Sequence, residues 1–375
     1  GRGEGVAVGF RLYWLDTVTG AVGSPIQDVT ACSWAISLNK VEELTFTIPK
    51  RSLAGHQRTT YEPLTGGVLL THTGQDGTEY PLIAGPIIDW GTETGTNLEL
   101  KCAGVRELFE RRTIWDTLTY KTMSLGEIAW ALAVHCMNRP GGGLPVVHGV
   151  QGGLGAQTRE RTYERWNVAN NLIGKRWSEL SAVINGPDIM LRPRWKSEAH
   201  THIEWVFMHG VEEYPFIAQK FTPDFDTTAL AAADIEVKVT STGKDITHRI
   251  WCTGAGEGEG TAIAWAENLT QVWRDHAPFV EGIITDADQA DTFVLKQKAE
   301  GALAARAKMI DQVTIEMGTD RLGAPLGSWF VGDTATVTLA GWLSVPDGTR
   351  QMRIIKMTGT LAGSVTLDFQ EASWQ

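Results

Sequence analysis

Only four of the 375 residues are cysteines, Cys32, Cys102, Cys136 and Cys252, and no two stand at CxxC spacing. In a chain this large they read as reduced, buried thiols of a protein made in the cytoplasm, not as a disulfide framework. Long apolar runs are also missing. Nothing approaches the roughly 18 residues that a membrane span requires, and the longest candidate, "IAWALAV", reads as a core helix. The first residues, "GRGEGVAVGF", lack the basic region and long apolar core of a secretory signal, so export by the general secretory route is not expected. Positive charge is in deficit, with 33 Lys and Arg against 44 Asp and Glu and a net charge of -11. A general nucleic-acid binder needs a basic patch for the phosphates, and these dispersed cations do not supply one. A mildly acidic surface serves solubility, or lets DNA pass without adhering.

Catalytic signatures are equally scarce. The chain has no GxSxG, no HExxH and no cysteine in a protease-like context. "GAGEGEG", Gly254 to Gly260, follows a strand, but its spacing fits neither GxGxxG nor a GK[ST] loop, and Glu257 and Glu259 would repel a pyrophosphate. It reads as a flexible connection. Carboxylate pairs for glycoside hydrolysis need convergence in space, and nothing local selects a pair among the 44 acidic residues. The best metal candidate is "HTHIEW", which sets His200, His202 and Glu204 on one face of an expected strand. Such a set still needs a further ligand and supporting partners, and its plain reading is a polar strand face. His135 and Cys136 end an apolar helix and read as packing residues. No enzyme activity, cofactor or catalytic residue is expected.

What is present is apolar material in ordinary amount, 42%, in a chain longer than the roughly 250 to 300 residues at which single cores stop growing. Two or more domains are expected. Period-2 alternation dominates from Phe10 to Gly104. It appears in "FRLYWLD", in the hairpin "CSWAISLNKVEELTFTIPK", in "GVLLTHT" meeting "TEYPLIAG" across "GQDG", and in "GPIIDWG" meeting "TNLELKCAG" across "TETG". Six or more short strands in order favour a small barrel or sandwich. Helical signals then enter. Ser124 and Glu127 form a capping box before "IAWALAVHC", and a second helix fits residues 166 to 180, with Trp177 on its apolar face. "SAVIN" and "DIMLRPRW" read as strands turning around "NGPD", followed by "THIEWVFM". Beyond Phe216, "DIEVKVTS" and "ITHRIWCTG" flank "TGKD" as a further hairpin. A helix is expected from about Asp288 to Ile310, and four more strands follow it.

The chain thus reads as an α+β, β-rich, multidomain protein in the order β, α+β, β, α+β, β. The divisions are residues 1–104, 105–212, 213–254 with 311–375, and an inserted 255–310. The 15 tryptophans would suit sugar platforms, but most lie in apolar patterns. Trp34, Phe46, Trp177, Trp205 and Trp329 are expected in the core or at subunit interfaces.

Three stretches in this order carry a family resemblance: "WAISLNKVEELTFTIPK"; "AGPIIDWGTETGTNLELKCAGVRELFERRTI"; and the tail, "DQADTFVLKQKAEGALAARAKMI" followed by "GDTATVTL" and "MRIIKMTGTLAGSVTLDFQ". The chain resembles the baseplate hub, or tail-tip hub, proteins of tailed bacteriophages, including minor tail proteins of long-tailed actinobacterial phages. The resemblance implies two antiparallel β-barrel domains related to tail-tube subunits and two smaller α+β domains. It further implies a homotrimer whose six barrels adapt a sixfold tube to a threefold tip. Implied partners are the distal tail protein, the C-terminal end of the tape-measure protein, other minor tail proteins or fibres, and genomic DNA passing through the lumen during infection. Implied localisation is the distal end of the virion tail, after synthesis in the host cytoplasm. Surplus acidic residues are expected to line the bore. Some relatives carry a wall-cleaving or receptor-binding extension; with Gln375 following the closing strand, host-wall digestion is expected from another protein. The competing readings are a carbohydrate- or receptor-binding tail module and a peptidoglycan hydrolase.

Overall fold

The computed structural model describes residues 8–149, 157–183, 185–217, 219–229 and 234–372. The hairpin forms as its alternation requires. Ala31–Ser37 pairs antiparallel with Glu43–Pro49, with Trp34 opposite Leu44. Trp34, Ile36, Leu44, Phe46 and Ile48 are buried, whereas Thr45 and Thr47 on the other face are half-buried. A period of two sends successive side chains to opposite faces, so one apolar stripe defines the inward side.

That hairpin belongs to a 13-stranded sheet spanning both ends of the chain. Along its main path the strands are Glu236–Thr242, Ile310–Gly318, Ser364–Glu371, Gly348–Gly359, Ala31–Ser37, Glu43–Pro49, Asn97–Ala103, Glu79–Glu93, Gly67–Thr73, Gly9–Leu15 and Val22–Pro25. All neighbours on this path are antiparallel. Thr334–Leu339 pairs with Gly348–Gly359 and, in parallel, with Asp224–Asp226.

Among the described residues the sheet is open, and neither of the two expected barrels closes. The physical reason lies in two long strands. Gly348–Gly359 gives its first half to Thr334–Leu339 and its last residues to the N-terminal hairpin, where Met357 faces Ile36 and Gly359 faces Trp34. "TEYPLIAG" and "GPIIDWG" likewise fuse into one strand, Glu79–Glu93, which pairs with Gly67–Thr73 at one end and Asn97–Ala103 at the other. Unpaired strand edges are satisfied by the neighbouring half of the chain instead of by closure. One apolar cluster accordingly mixes Trp34, Phe46 and Ile48 with Val313, Ile315, Met357, Leu367, Phe369 and Trp329. The joint is tight: a Cβ on Gly359 would lie 2.6 Å from the Trp34 ring, whose Nε1 donates to the Thr360 carbonyl at 3.0 Å.

The middle of the chain builds a second core. Ser124 caps the helix Leu125–Met137, its Oγ accepting from the Glu127 amide at 3.2 Å. The expected helix at 166–180 is broken. Arg165–Asn170 is a 3-10 turn, Leu172 is extended, and the α-helix runs Ile173–Ala182. Ser181 and Ala182 end that helix, so "SAVIN" does not open a strand. "DIMLRPRW" pairs instead with the strand that follows it, Ile189–Trp195 against Ile203–His209, and Val146–His148 adds in parallel. Trp177 and Trp205 lie at the centre of this core, buried against Phe207, Ile128 and Leu180. Their indole N–H groups are satisfied by the carbonyls of Ala129 (2.9 Å) and Ala84 (3.0 Å). Among the described residues no helix is long and apolar enough to cross a membrane, and the four cysteines are free thiols.

Candidate assembly surface

The hairpin expected around "TGKD" does not form, although a turn does, with the Ile246 amide bonded to the Gly243 carbonyl at 3.1 Å. Glu236–Thr242 pairs with Ile310–Gly318 in the large sheet. Arg249–Thr253 instead becomes the central strand of a separate three-stranded sheet, between Ile263–Glu267 and Glu281–Thr285. Its inward residues, Ile250 and Cys252, pack with Ala264 and Ala266 against Leu295, Ala299 and Leu303 of the helix Thr292–Ala305. That helix is shorter than the expected 288–310 and is capped by Asp291, whose Oδ1 accepts from the Phe293 amide at 2.9 Å. Gly254 permits the approach: a Cβ there would meet the Gln289 carbonyl at 2.2 Å.

One face of the small sheet is therefore covered and the other is bare. Strand register sets the bare face in rows. Trp265, Trp251 and Ile283 form one row, and Glu267, Arg249 and Glu281 form the next. Arg249 bonds Glu267 (Nε–Oε2 2.8 Å) and Glu281 (Nη1–Oε1 3.1 Å), and its guanidinium lies 5.0 Å from the Phe279 ring centroid. Trp251 Nε1 donates to Glu281 at 3.0 Å. That bond first, then Arg249, holds the Glu281 carboxyl below its ordinary value. Trp265 and Ile283 are 48% and 72% exposed, and Ile263, Phe279 and Val280 extend the apolar area. Around the edge, an open groove of about 1250 Å³ between Ile263–Glu267 and the helix is lined by Trp265, Phe293 and Lys296. Clustered Trp, Phe and Arg ringed by polar residues is the composition of a protein interface core, and such patches on isolated chains mark interaction sites.

The inserted unit is held to the middle core by buried charges. Arg176 Nη1 lies 2.6 Å from Asp288 and 2.9 Å from Glu179, and Asn167 Nδ2 donates to Asp288 at 3.1 Å. Lys298 pairs with Asp286. Burial pushes the Asp288 carboxyl upward, but the hydrogen bond with Asp286 and the charge and hydrogen bond of Arg176 outweigh it and bring the group down to about 2.

The structure separates the residues of "HTHIEW". His200 sits in a turn at φ 53°, stacked on Trp195 at 4.3 Å between ring centroids. His202 bonds Thr201 through Nδ1 at 3.0 Å, and Glu204 is paired with Arg194 at 3.0 Å. A different trio converges. Glu127 Oε1 lies 3.0 Å from His209 Nε2 and 3.2 Å from His148 Nε2, and the two nitrogens are 2.9 Å apart. Sequence reading assigned Glu127 to the capping box; its backbone does serve the cap, but its carboxylate turns to the histidines. Burial opposes ionisation of Glu127, yet the bond and charge of His209 and the charge of His148 hold it below its ordinary value. Burial also lowers the His148 value.

No protein-family model and no curated protein matches the chain. Solved structures do. The tail protein of Neisseria meningitidis MC58 aligns over 97% of this chain and 96% of its own, with a TM-score of 0.56 at 12% identity. The 43 kDa tail protein of prophage MuSo2 from Shewanella oneidensis aligns over 97% and 98%, with a TM-score of 0.56 at 11% identity. Prophage tail protein gp18 of Listeria monocytogenes EGD-e aligns over 96% and 94%, with a TM-score of 0.51 at 9% identity. The chain has the fold of phage tail proteins, over nearly its whole length, as the resemblance to hub proteins implies.

Proposed function

We propose that the chain is a structural subunit of a bacteriophage tail tip, a hub that closes the distal end of the tube. The observation that carries the reading is the end-to-end correspondence with tail proteins, in which no large part of either chain is left over. The bare aromatic face of the inserted unit supports it, because a subunit of an assembly must keep an apolar surface for its neighbour. On this reading three copies form a ring, and the distal tail protein, the tape-measure end and other minor tail proteins or fibres are its contacts. The ring opens for DNA, with acidic residues toward the bore. The building units are the four sequence divisions with Arg249–Thr253 moved into the inserted one, and the protein works without catalysis or cofactor. Trp251 and Trp265 are tilted at 44° with ring centroids 5.9 Å apart. A flat sugar platform would set them coplanar, so the face suits a protein partner better than a carbohydrate. The mass of the purified chain in solution tests the ring: about three times 41.0 kDa is expected. A lone 41.0 kDa species that stays monomeric when mixed with its tail partners would contradict it.

A further inference from the structure

Glu127, His148 and His209 come from three elements: the first turn of the helix Leu125–Met137, the end of the strand Val146–His148, and the end of the strand Ile203–His209. The two histidines are 61 residues apart and Glu127 is 82 residues from His209. The tautomer of His209 is fixed by its surroundings. Nδ1 lies 2.9 Å from the Gly210 carbonyl, which can only accept, so Nδ1 carries the proton. In neutral His209 the Nε2 lone pair then points at the Glu127 carboxylate. His148 can offer one N–H, to His209 or to Glu127. Protons on neutral rings therefore leave one close contact between two acceptors. A second proton on His209 would resolve it, and so would a metal ion among the three converging ligand atoms.

We propose that Glu127 Oε1, His148 Nε2 and His209 Nε2 bind a divalent transition-metal ion of the zinc type. Two imidazoles and one carboxylate suit zinc and not the oxygen-seeking Mg²⁺ or Ca²⁺. Zinc–nitrogen bonds of about 2.0–2.1 Å set tetrahedral ligand atoms roughly 3.3–3.4 Å apart, a few tenths of an ångström beyond the separations here. The supporting contacts of such a site are in place. The Gly210 carbonyl orients His209, and Trp130 stacks on His148 with centroids 5.0 Å apart and planes 9° apart. Gly126 leaves room for the imidazole, since a Cβ there would lie 2.1 Å from His209 Nδ1. His148 retains 17% and Glu127 15% of their side-chain exposure, so the cluster is within reach of an ion from solvent. Among the described residues a second set of convergent carboxylates, Glu179, Asp286 and Asp288, already holds Arg176 and Lys298 as its cations. The ion would tie the helix start to two strands, whatever the chain's place in an assembly.

The test uses the full untagged chain, stripped with a chelator and titrated with Zn²⁺ and Co²⁺. One equivalent of zinc, a tetrahedral Co²⁺ absorption band and a raised melting temperature are expected. Glu127→Gln and His148→Asn should each weaken binding by about 100-fold or more, since even outer partners of a metal ligand account for roughly 10–100-fold. His200→Asn, distant from the site, should leave it unchanged. Absence of metal binding by the wild-type chain would overturn the proposal and assign the cluster to a charged His209–Glu127 pair. Binding that survives both substitutions in folded variants would overturn it too. Should a variant fail to fold, the wild-type cobalt spectrum decides alone: a tetrahedral band with nitrogen ligands supports the site, and none refutes it.

Discussion

Replacing Trp34 with alanine probes the joint between the two ends of the chain. The side chain is 2% exposed, sits beside Gly359 and belongs to the cluster shared by both halves of the sheet. A tryptophan buries about 150–250 Å², which at ~25 cal/mol per Å² gives an upper bound of about 4–6 kcal/mol. The indole bond to the Thr360 carbonyl contributes little more, because Thr360 is exposed and water replaces the donor. The expected loss is therefore about 3–5 kcal/mol, as for other buried Trp→Ala changes. Urea unfolding followed by circular dichroism measures it, with Trp273→Ala as the reference: at 73% exposure that side chain should cost no more than about 0.5 kcal/mol. A Trp34→Ala loss below about 1 kcal/mol would refute a shared core, and would mean that the N-terminal hairpin lies on the C-terminal strands without being packed into them.

Glu42 supplies a pH dependence. Full burial raises its carboxyl from 4.5 to about 7, against the lesser pulls of its own backbone hydrogen bond and of Arg106. The folded chain then holds a proton that the unfolded chain releases, so stability falls as pH rises from about 4.5 to about 7 and is flat above. Glu42→Gln should remove about 2.5 kcal/mol of that fall, read from denaturation at pH 5 and pH 8; an unchanged pH profile would contradict the assignment. Arg176→Met leaves the largely buried Asp288 carboxylate, and the half-buried Glu179, without their nearest cation and should cost about 3 kcal/mol, against a negligible effect for the exposed Lys196→Met. Trp265→Ser with Ile283→Ser should abolish higher-order species in solution while leaving the unfolding free energy of the monomer within about 0.5 kcal/mol, because these side chains are 48% and 72% exposed on the bare face. Retained assembly would place the interface elsewhere.

Local pattern made some elements legible and left others hidden for identifiable reasons. The Ala31–Pro49 hairpin, the Ser124 cap and the closing strands were readable because period-2 alternation, capping and tight turns act within a few residues. The partner of a strand does not. Ala31–Ser37 meets Gly348–Gly359 across more than 300 residues, and no local signal distinguishes that pairing from barrel closure. The "TGKD" turn formed as its residues require, yet the strand after it joined a different sheet, since turn chemistry fixes a bend and not the register beyond it. The histidine trio was hidden for the same reason, its members being scattered through the middle of the chain. Gly126 beside Glu127 was the one local trace, a small residue at a helix start where His209 closes in. "HTHIEW" had the attractive spacing, but Trp195 and Arg194 hold two of its three side chains.

The measurement that bears most directly on the tail-tip reading is electron microscopy of tailed particles produced by the genome that encodes this chain, labelled with antibody against the full protein. Label confined to the end of the tail away from the head is predicted. Label on the head or along the whole tube, or particles complete and infectious without the chain, would contradict it.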